Sequence, residues 1–191
     1  MRTIVSRTQL VKIERLSDTE IKESLVREKG LSEAEAGNIA YLAAGNYRDA
    51  LVLAAHENAG EGTPFTHFRN WMRMCFKGDI LALQKWVLEM NELSRESMKG
   101  FFVYSLHMIR ESLVLNYGDE KLVRLSGEEL EFLKKFSVYI HKGNCRKMIE
   151  DLNEAAMQAE WNANIKILLT DLSLRFRNHL RIENPAQKAK V

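Results

Sequence analysis

The sequence predicts an all-α protein, and three observations carry that prediction. A Ser-x-x-Glu device recurs at "LSDTEI" (16–21), "LSEAEA" (31–36) and "LSGEEL" (125–130). In each, the serine oxygen can accept an orphan amide of a first helical turn while the glutamate reaches back to the amide of the cap. The 191 residues hold only two prolines and ten glycines, few for a chain built on turns. Finally, apolar residues recur at helical spacing along most of the length, and the only alternating apolar/polar run is the short "TIVSR" at 3–7.

The elements follow in order. Ser17/Glu20 opens a first helix that Gly30 can close, since glycine adopts positive φ without a Cβ penalty. Ser32/Glu35 opens a second, running to about Gly45, and a third starts near Asn46 and fades in "ENAGEGTP" (57–64). Leu16 before Ile21 and Leu125 before Leu130 are placed as hydrophobic staples. The Gly, Pro and polar content of 57–64, with no apolar period, makes it the expected linker. Beyond it Pro64–Lys77 reads as a helix stopped by Gly78, and Asp79 caps the next. Ser94 opens a long helix with Phe102, Leu106, Ile109 and Leu113 on one face, and 116–124 reads as a loop. Ser126/Glu129 then opens a helix expected to end near Gly143. A final pair from Asn144 to about Arg181 is expected to kink near Asn162–Asn164, with Ile165, Leu168, Leu169, Leu172 and Phe176 as its last apolar stripe.

Composition narrows the function. Lys plus Arg number 28 against 26 acids, and the excess sits in residues 171–191, which argues against a broad nucleic-acid footprint. Cys75 and Cys145 stand apart with no Cys or His at metal spacing, as in a reduced protein. The apolar runs are too short to span a bilayer and no charged-then-apolar leader opens the chain, so a cytoplasmic protein without a membrane partner is expected.

Catalytic constellations are missing from the primary structure. His56, His67, His107, His141 and His179 are scattered, with no His-x-x-x-His pair to grip a metal from one helix face. No activating group stands near either cysteine in sequence. Acid pairs such as Glu128/Glu129 sit in first turns, where they answer the helix dipole. An independent enzyme would need a convergent acid/base cluster, a reading that an apolar pocket lined by His107 or His141 would reopen. The aromatics Trp71, Trp86, Trp161, Phe101 and Phe102 do not alternate with basic clusters and read as core or subunit-contact residues. Arg175, Arg177, Arg181, Lys188 and Lys190 read as a solvated basic end in preference to a contact for nucleic acid or an acidic partner, and 184–191 has nothing to bury.

Two arginines remain. Arg48 in "GNYRDAL" (45–51) lies in the first turn of the third helix, where free amides already favour an anion, although no Gly-rich phosphate loop ending in Gly-Lys-Ser/Thr exists in the chain. Taken alone, it reads as a surface arginine paired with Asp49 or Glu57. Arg7 ends the "TIVSR" run.

Together, "TIVSRTQLVKIERLS" (3–17) and "LAAGNYRDALVLAA" (42–55) resemble the junction between an AAA+ ATPase module and its helical lid in replication clamp-loader subunits. That family carries Ile-x-Ser-Arg-Cys at the end of the ATPase sheet and Gly-Ser/Asn-x-Arg-x-Ala-Leu in the lid. Here Thr8 replaces the cysteine, while Gly45, Arg48, Ala50 and Leu51 match. "AEWNANIKILLTDLSLRF" (159–176) is similar to the closing helix of the loader collar. The resemblance covers nearly the whole chain and is nearest to the delta-prime type of bacterial DNA polymerase III subunit.

The resemblance implies a fragment. Residues 1–9 would be the end of an AAA+ domain, 10–60 a small three-helix lid, 65–182 a larger helical-bundle collar and 183–191 a disordered tail. Arg48 would be the sensor-2 arginine, and Arg7 a finger offered in trans to ATP on a neighbouring subunit. No catalytic residue is implied in isolation and no cofactor in this piece; ATP would enter only through the missing domain or a neighbour. The partners implied are the other loader subunits in a hetero-oligomeric ring and, through the whole complex, the sliding clamp and primer-template DNA. Trp71, Trp86, Phe102 and Trp161 would be interface candidates, this piece a non-catalytic scaffold, and the whole parent protein a subunit of the DNA-directed DNA polymerase holoenzyme. The alternatives are a delta or motor-type loader fragment, or a free-standing α-helical interaction module.

Overall fold

The computed structural model of the chain describes residues 14–43, 45–57, 63–118, 122–123, 125 and 127–183. Among them are nine α-helices and no strand, so the fold class is all-α. Arg7, the "TIVSR" run, Ser126 with its capping box, most of the 57–64 linker and the 184–191 tail lie outside the described residues. Backbone packing divides the chain into two compact units, Met1–Ala50 and Leu51–Val191.

In the first unit, α1 (Asp18–Lys29) packs on α2 (Glu33–Ala43). Both predicted capping boxes are closed. Ser17 Oγ accepts from Glu20 N–H at 3.2 Å, and Ser17 N–H donates to Glu20 Oε2 at 2.8 Å. The corresponding distances for Ser32 and Glu35 are 3.3 and 3.0 Å. These contacts hold both glutamates below the usual carboxylate range, because the caps' hydroxyl and amide hydrogens favour the charged form. Gly30 closes α1 in the left-handed region at φ 66°. Ile21 is fully buried whereas Leu16 stays exposed, so the expected staple contributes little there. Gly45, at φ 87°, accepts from Leu16 N–H at 3.2 Å, and any Cβ on it would meet Arg15 Cβ at 2.8 Å. α3 (Tyr47–Glu57) follows directly, and the division between the units falls inside it.

The second unit is a bundle of long helices. Thr63 caps α4 (Pro64–Lys77), whose first position is the proline, as fits a residue with no amide to satisfy. Gly78 closes α4 at φ 73° and Asp79 caps α5 (Ile80–Asn91) through Ala82 N–H at 3.0 Å. Ser94 caps the 23-residue α6 (Arg95–Tyr117), so the helix runs slightly into the expected 116–124 loop. The predicted face of α6 is only part of what it buries. Phe102 and Ile109 are in the core, but so are Phe101, Tyr104, Ser105, Met108 and Ser112, because α6 is surrounded. It packs against α4, α7 (Gly127–Phe136), the 3-10 turn Ser137–Tyr139 and α8 (Cys145–Glu160). Ser105 and Ser112, buried on this central helix, satisfy their hydroxyls on the carbonyls four residues back, at 2.7 Å each.

α7 stops at Phe136, short of the expected end near Gly143, and two asparagines explain why. Asn116 Nδ2 donates to Ser137 O and Ile140 O at 2.6 and 2.7 Å. Asn144 Nδ2 takes Tyr139 O at 2.8 Å, so side-chain amides occupy carbonyls that a continuing helix would use. The last pair is α8 and α9 (Ile165–Leu180), antiparallel-sequence neighbours that pack together. The expected kink between them is a complete break. Asn162 sits at φ 62° and Asn164 Oδ1 accepts from Lys166 and Ile167 N–H at 3.1 and 3.3 Å.

The core centres on Trp71. Its ring stacks on Trp86 with centroids 5.9 Å apart, lies 5.4 Å from Phe101 and 4.6 Å from Phe176, and its Nε1–H donates to Ser173 Oγ at 2.8 Å. A second aromatic cluster, Phe65, Phe68, Phe132 and Phe136, joins α4 to α7 with mostly edge-to-face geometry.

His107 on α6 adds a pH dependence. Burial, with a smaller push from the Arg110 charge, lowers its imidazole from 6.5 to about 4. The unfolded chain therefore takes up a proton that the folded one refuses between those values. Stability is held above about pH 6.5 and falls as pH drops towards 4, by on the order of 3 kcal/mol from this residue. Urea midpoints measured from pH 7 to 4 should show that loss, and His107→Leu should flatten it.

Candidate functional site

The first unit presents Arg48. Asn46 shapes the start of α3: its Oδ1 accepts from Arg48 N–H at 3.1 Å while its amide donates to Asp49 Oδ2 at 2.7 Å. Asp49 is thereby engaged, and among the described residues no acid pairs with the exposed Arg48 side chain. Tyr47 points the other way, donating its phenol to Glu28 at 2.7 Å. Arg48 therefore stands in the first turn of a helix as a cation turned to solvent, next to amides that favour anions.

The second unit presents apolar surface. Of the four aromatic contact candidates, Trp71, Trp86 and Phe102 are buried in this chain's own core, the two indoles against Phe101 of α6 and Trp71 also against Phe176 of α9. They are packing residues, not exposed contact points. Trp161 is different, 72% exposed at the α8–α9 break. It is joined by side chains that the sequence reading passed over: Leu81 is 74% exposed, Ile167 69%, and Leu88 and Leu174 about half. Leu81 and Leu88 are seven apart on α5, as are Ile167 and Leu174 on α9, so each pair lies on one face. α5 and α9 pack side by side, and Ile80 and Leu174 line the same small cleft. A shallow depression of about 390 Å³ on α9, lined by Lys166, Ile167, Thr170, Asp171 and Leu174, adjoins it. The signal was available in sequence: α5 carries apolar residues on both sides of its 83/86/87/90 face.

His141, His179 and Cys75 are engaged in packing and hydrogen bonding. His141 is buried, accepting from Gly143 N–H at 3.1 Å on Nδ1 and meeting Ile182 O at 2.9 Å through Nε2. That pattern assigns the neutral tautomer with its proton on Nε2. His179 Nε2 lies 2.7 Å from Asp151. Neither the cleft shared by Ile80 and Leu174 nor the depression on α9 is lined by His107 or His141. Among the described residues no three His, Cys, Asp or Glu side chains converge on a metal-sized site. Burial pushes the Cys75 thiol up to about 12, which keeps it protonated. Tyr104 donates to Glu129 at 2.6 Å, and burial raises both groups above their ordinary values.

The basic end is not one solvated run. Arg175 pairs with Asp151 at 3.2 Å, Asp171 at 2.8 Å and Glu154 at 3.5 Å, and the Asp151 hydrogen bond leads in raising its pKa. Arg177 lies against Gly78, where an added Cβ would come within 2.8 Å of the guanidinium. Arg181 is exposed, and Lys188 and Lys190 lie outside the described residues. No helix among the described residues is long and apolar enough to cross a membrane.

No protein-family model matches the chain, and no curated protein or solved structure is significantly similar to it.

Proposed function

We propose that the chain is the lid and collar of a clamp-loader subunit, delta-prime-like, that works by assembly with the other loader subunits and not by catalysis of its own. The observation that carries this reading is the form taken by "GNYRDAL": a helix start with Arg48 exposed in its first turn and no acid neutralising it among the described residues. An arginine so placed suits a sensor that reads phosphate presented by another domain, in a site where excluded water strengthens the contact. Arg7 would serve ATP held by the neighbouring subunit, stabilising charge on the transferring phosphoryl group.

Assembly would rest on the second unit. Leu81, Leu88, Ile167, Leu174 and Trp161 are large apolar side chains left in water, the kind that a helix-to-helix subunit contact buries. Coexpression with the remaining loader subunits of the same organism, followed by size-exclusion chromatography, tests the proposal. The chain is expected to co-elute with them. Leu81→Glu with Ile167→Glu should weaken that association by roughly tenfold or more while leaving the circular dichroism spectrum unchanged, because both side chains are exposed. A chain that elutes alone at micromolar concentration overturns the reading.

A further inference from the structure

The end of the bundle where α4, the 3-10 turn and the C-terminus of α9 meet carries a second surface, of different chemistry. Phe76, half-exposed on the last turn of α4, packs on the exposed Tyr139 with ring centroids 4.7 Å apart. Three residues on, the Lys142 ammonium sits 5.0 Å above the ring of exposed Tyr117. Asn144 binds both Tyr139 O and His179 O, and His141 meets Ile182 O, so the end of α9 is held beside this turn. Exposed Arg181 precedes Ile182 and exposed Lys142 follows His141, so the His141–Ile182 contact joins the segments that carry them, and exposed Lys77 follows Phe76 directly. Three half-exposed aromatic rings and three cations, distant in sequence, thus lie on segments that meet at this end of the bundle. Among the described residues none of Lys77, Lys142 and Arg181 has a carboxylate partner, whereas Arg175, six residues before Arg181 on α9, has three. The nearby Asp79 is engaged in capping α5.

We infer that this patch binds a single-stranded nucleic acid, with bases against Phe76, Tyr139 and Tyr117 and phosphates against Lys77, Lys142 and Arg181. Unpaired bases stack on aromatic faces whatever their sequence, and flanking cations track the backbone. A duplex keeps its base faces covered and could use only the charges. A peptide anchor seeks a pocket, and neither the cleft shared by Ile80 and Leu174 nor the depression on α9 is lined by these three rings. The inference is independent of the clamp-loader reading, since it concerns the chain by itself.

The test is fluorescence anisotropy of a fluorescein-labelled oligothymidylate titrated with the whole chain, beside a duplex of equal length. Tighter binding to the single strand is expected. Phe76→Ala with Tyr139→Ala should weaken it by roughly tenfold, as loss of stacking does. Lys77→Glu with Lys142→Glu and Arg181→Glu should weaken it at least as much and make the slope of log affinity against log salt shallower by about 2. Circular dichroism controls for folding. If the aromatic pair fails to fold, the charge variant decides, since its three side chains are exposed. No binding by the unaltered chain, equal affinity for duplex, unchanged binding by the charge variant, or capture of an acidic peptide in place of the oligonucleotide would each overturn the assignment.

Discussion

Replacing Trp71 with alanine is expected to destabilise the second unit by about 3 to 5 kcal/mol, the range for deleting a large buried aromatic. The indole has no exposed surface and touches α5 through Trp86, α6 through Phe101 and α9 through Phe176. Its removal opens a cavity at the point where four helices meet, and the rigid rings around it can relax only partly. It also leaves Ser173 Oγ without the 2.8 Å bond from Nε1–H. Trp71→Phe separates the two effects, because most of the ring volume stays while the buried donor is lost. Urea titration followed by circular dichroism should show a large fall in midpoint for alanine and a smaller one for phenylalanine.

Asn144→Ala is expected to cost about as much, roughly 3 to 5 kcal/mol, for a different reason. The side chain is fully buried, yet little volume is removed. What is lost is a three-way bond: Oδ1 accepts from His141 N–H at 2.9 Å, and Nδ2 reaches Tyr139 O at 2.8 Å and His179 O at 3.1 Å. Each buried polar group left without a partner costs about 1 to 3 kcal/mol. Because two of these bonds fasten the turn and one fastens α9 to it, amide exchange should rise at residues 139–144 and at the last turn of α9 together. A loss below 1 kcal/mol would mean that the turn is held by packing alone.

How much of this was legible depends on the range of the interaction. The caps at Ser17, Ser32, Asp79 and Ser94 were all readable, because a cap is settled within three residues by a side-chain oxygen and the amides next to it. Gly30 and Gly78 were readable for the same local reason. The end of α7 was not, since the side-chain donors that stop it belong to Asn116 and Asn144, outside that helix. Nor was the burial of α6 on several sides, which reflects the helices around it and not its own period. At the candidate sites, the helix start that carries Arg48 was legible from "GN", whereas the fate of Trp71, Trp86 and Phe102 as core residues required knowing which helices close over them.

By itself the sequence determined that the chain is helical and where most helices begin, because those outcomes follow from local hydrogen bonds and from the period of apolar residues. Tertiary packing alone decided which apolar side chains remain in water, leaving Leu81 and Ile167 outside while Trp71 went in. It also decided that Arg175 is neutralised by three acids, that Phe76 meets Tyr139 and that Lys142 meets Tyr117. Solvent exposure and charge pairing depend on neighbours far along the chain, and those neighbours exist only once the helices have packed.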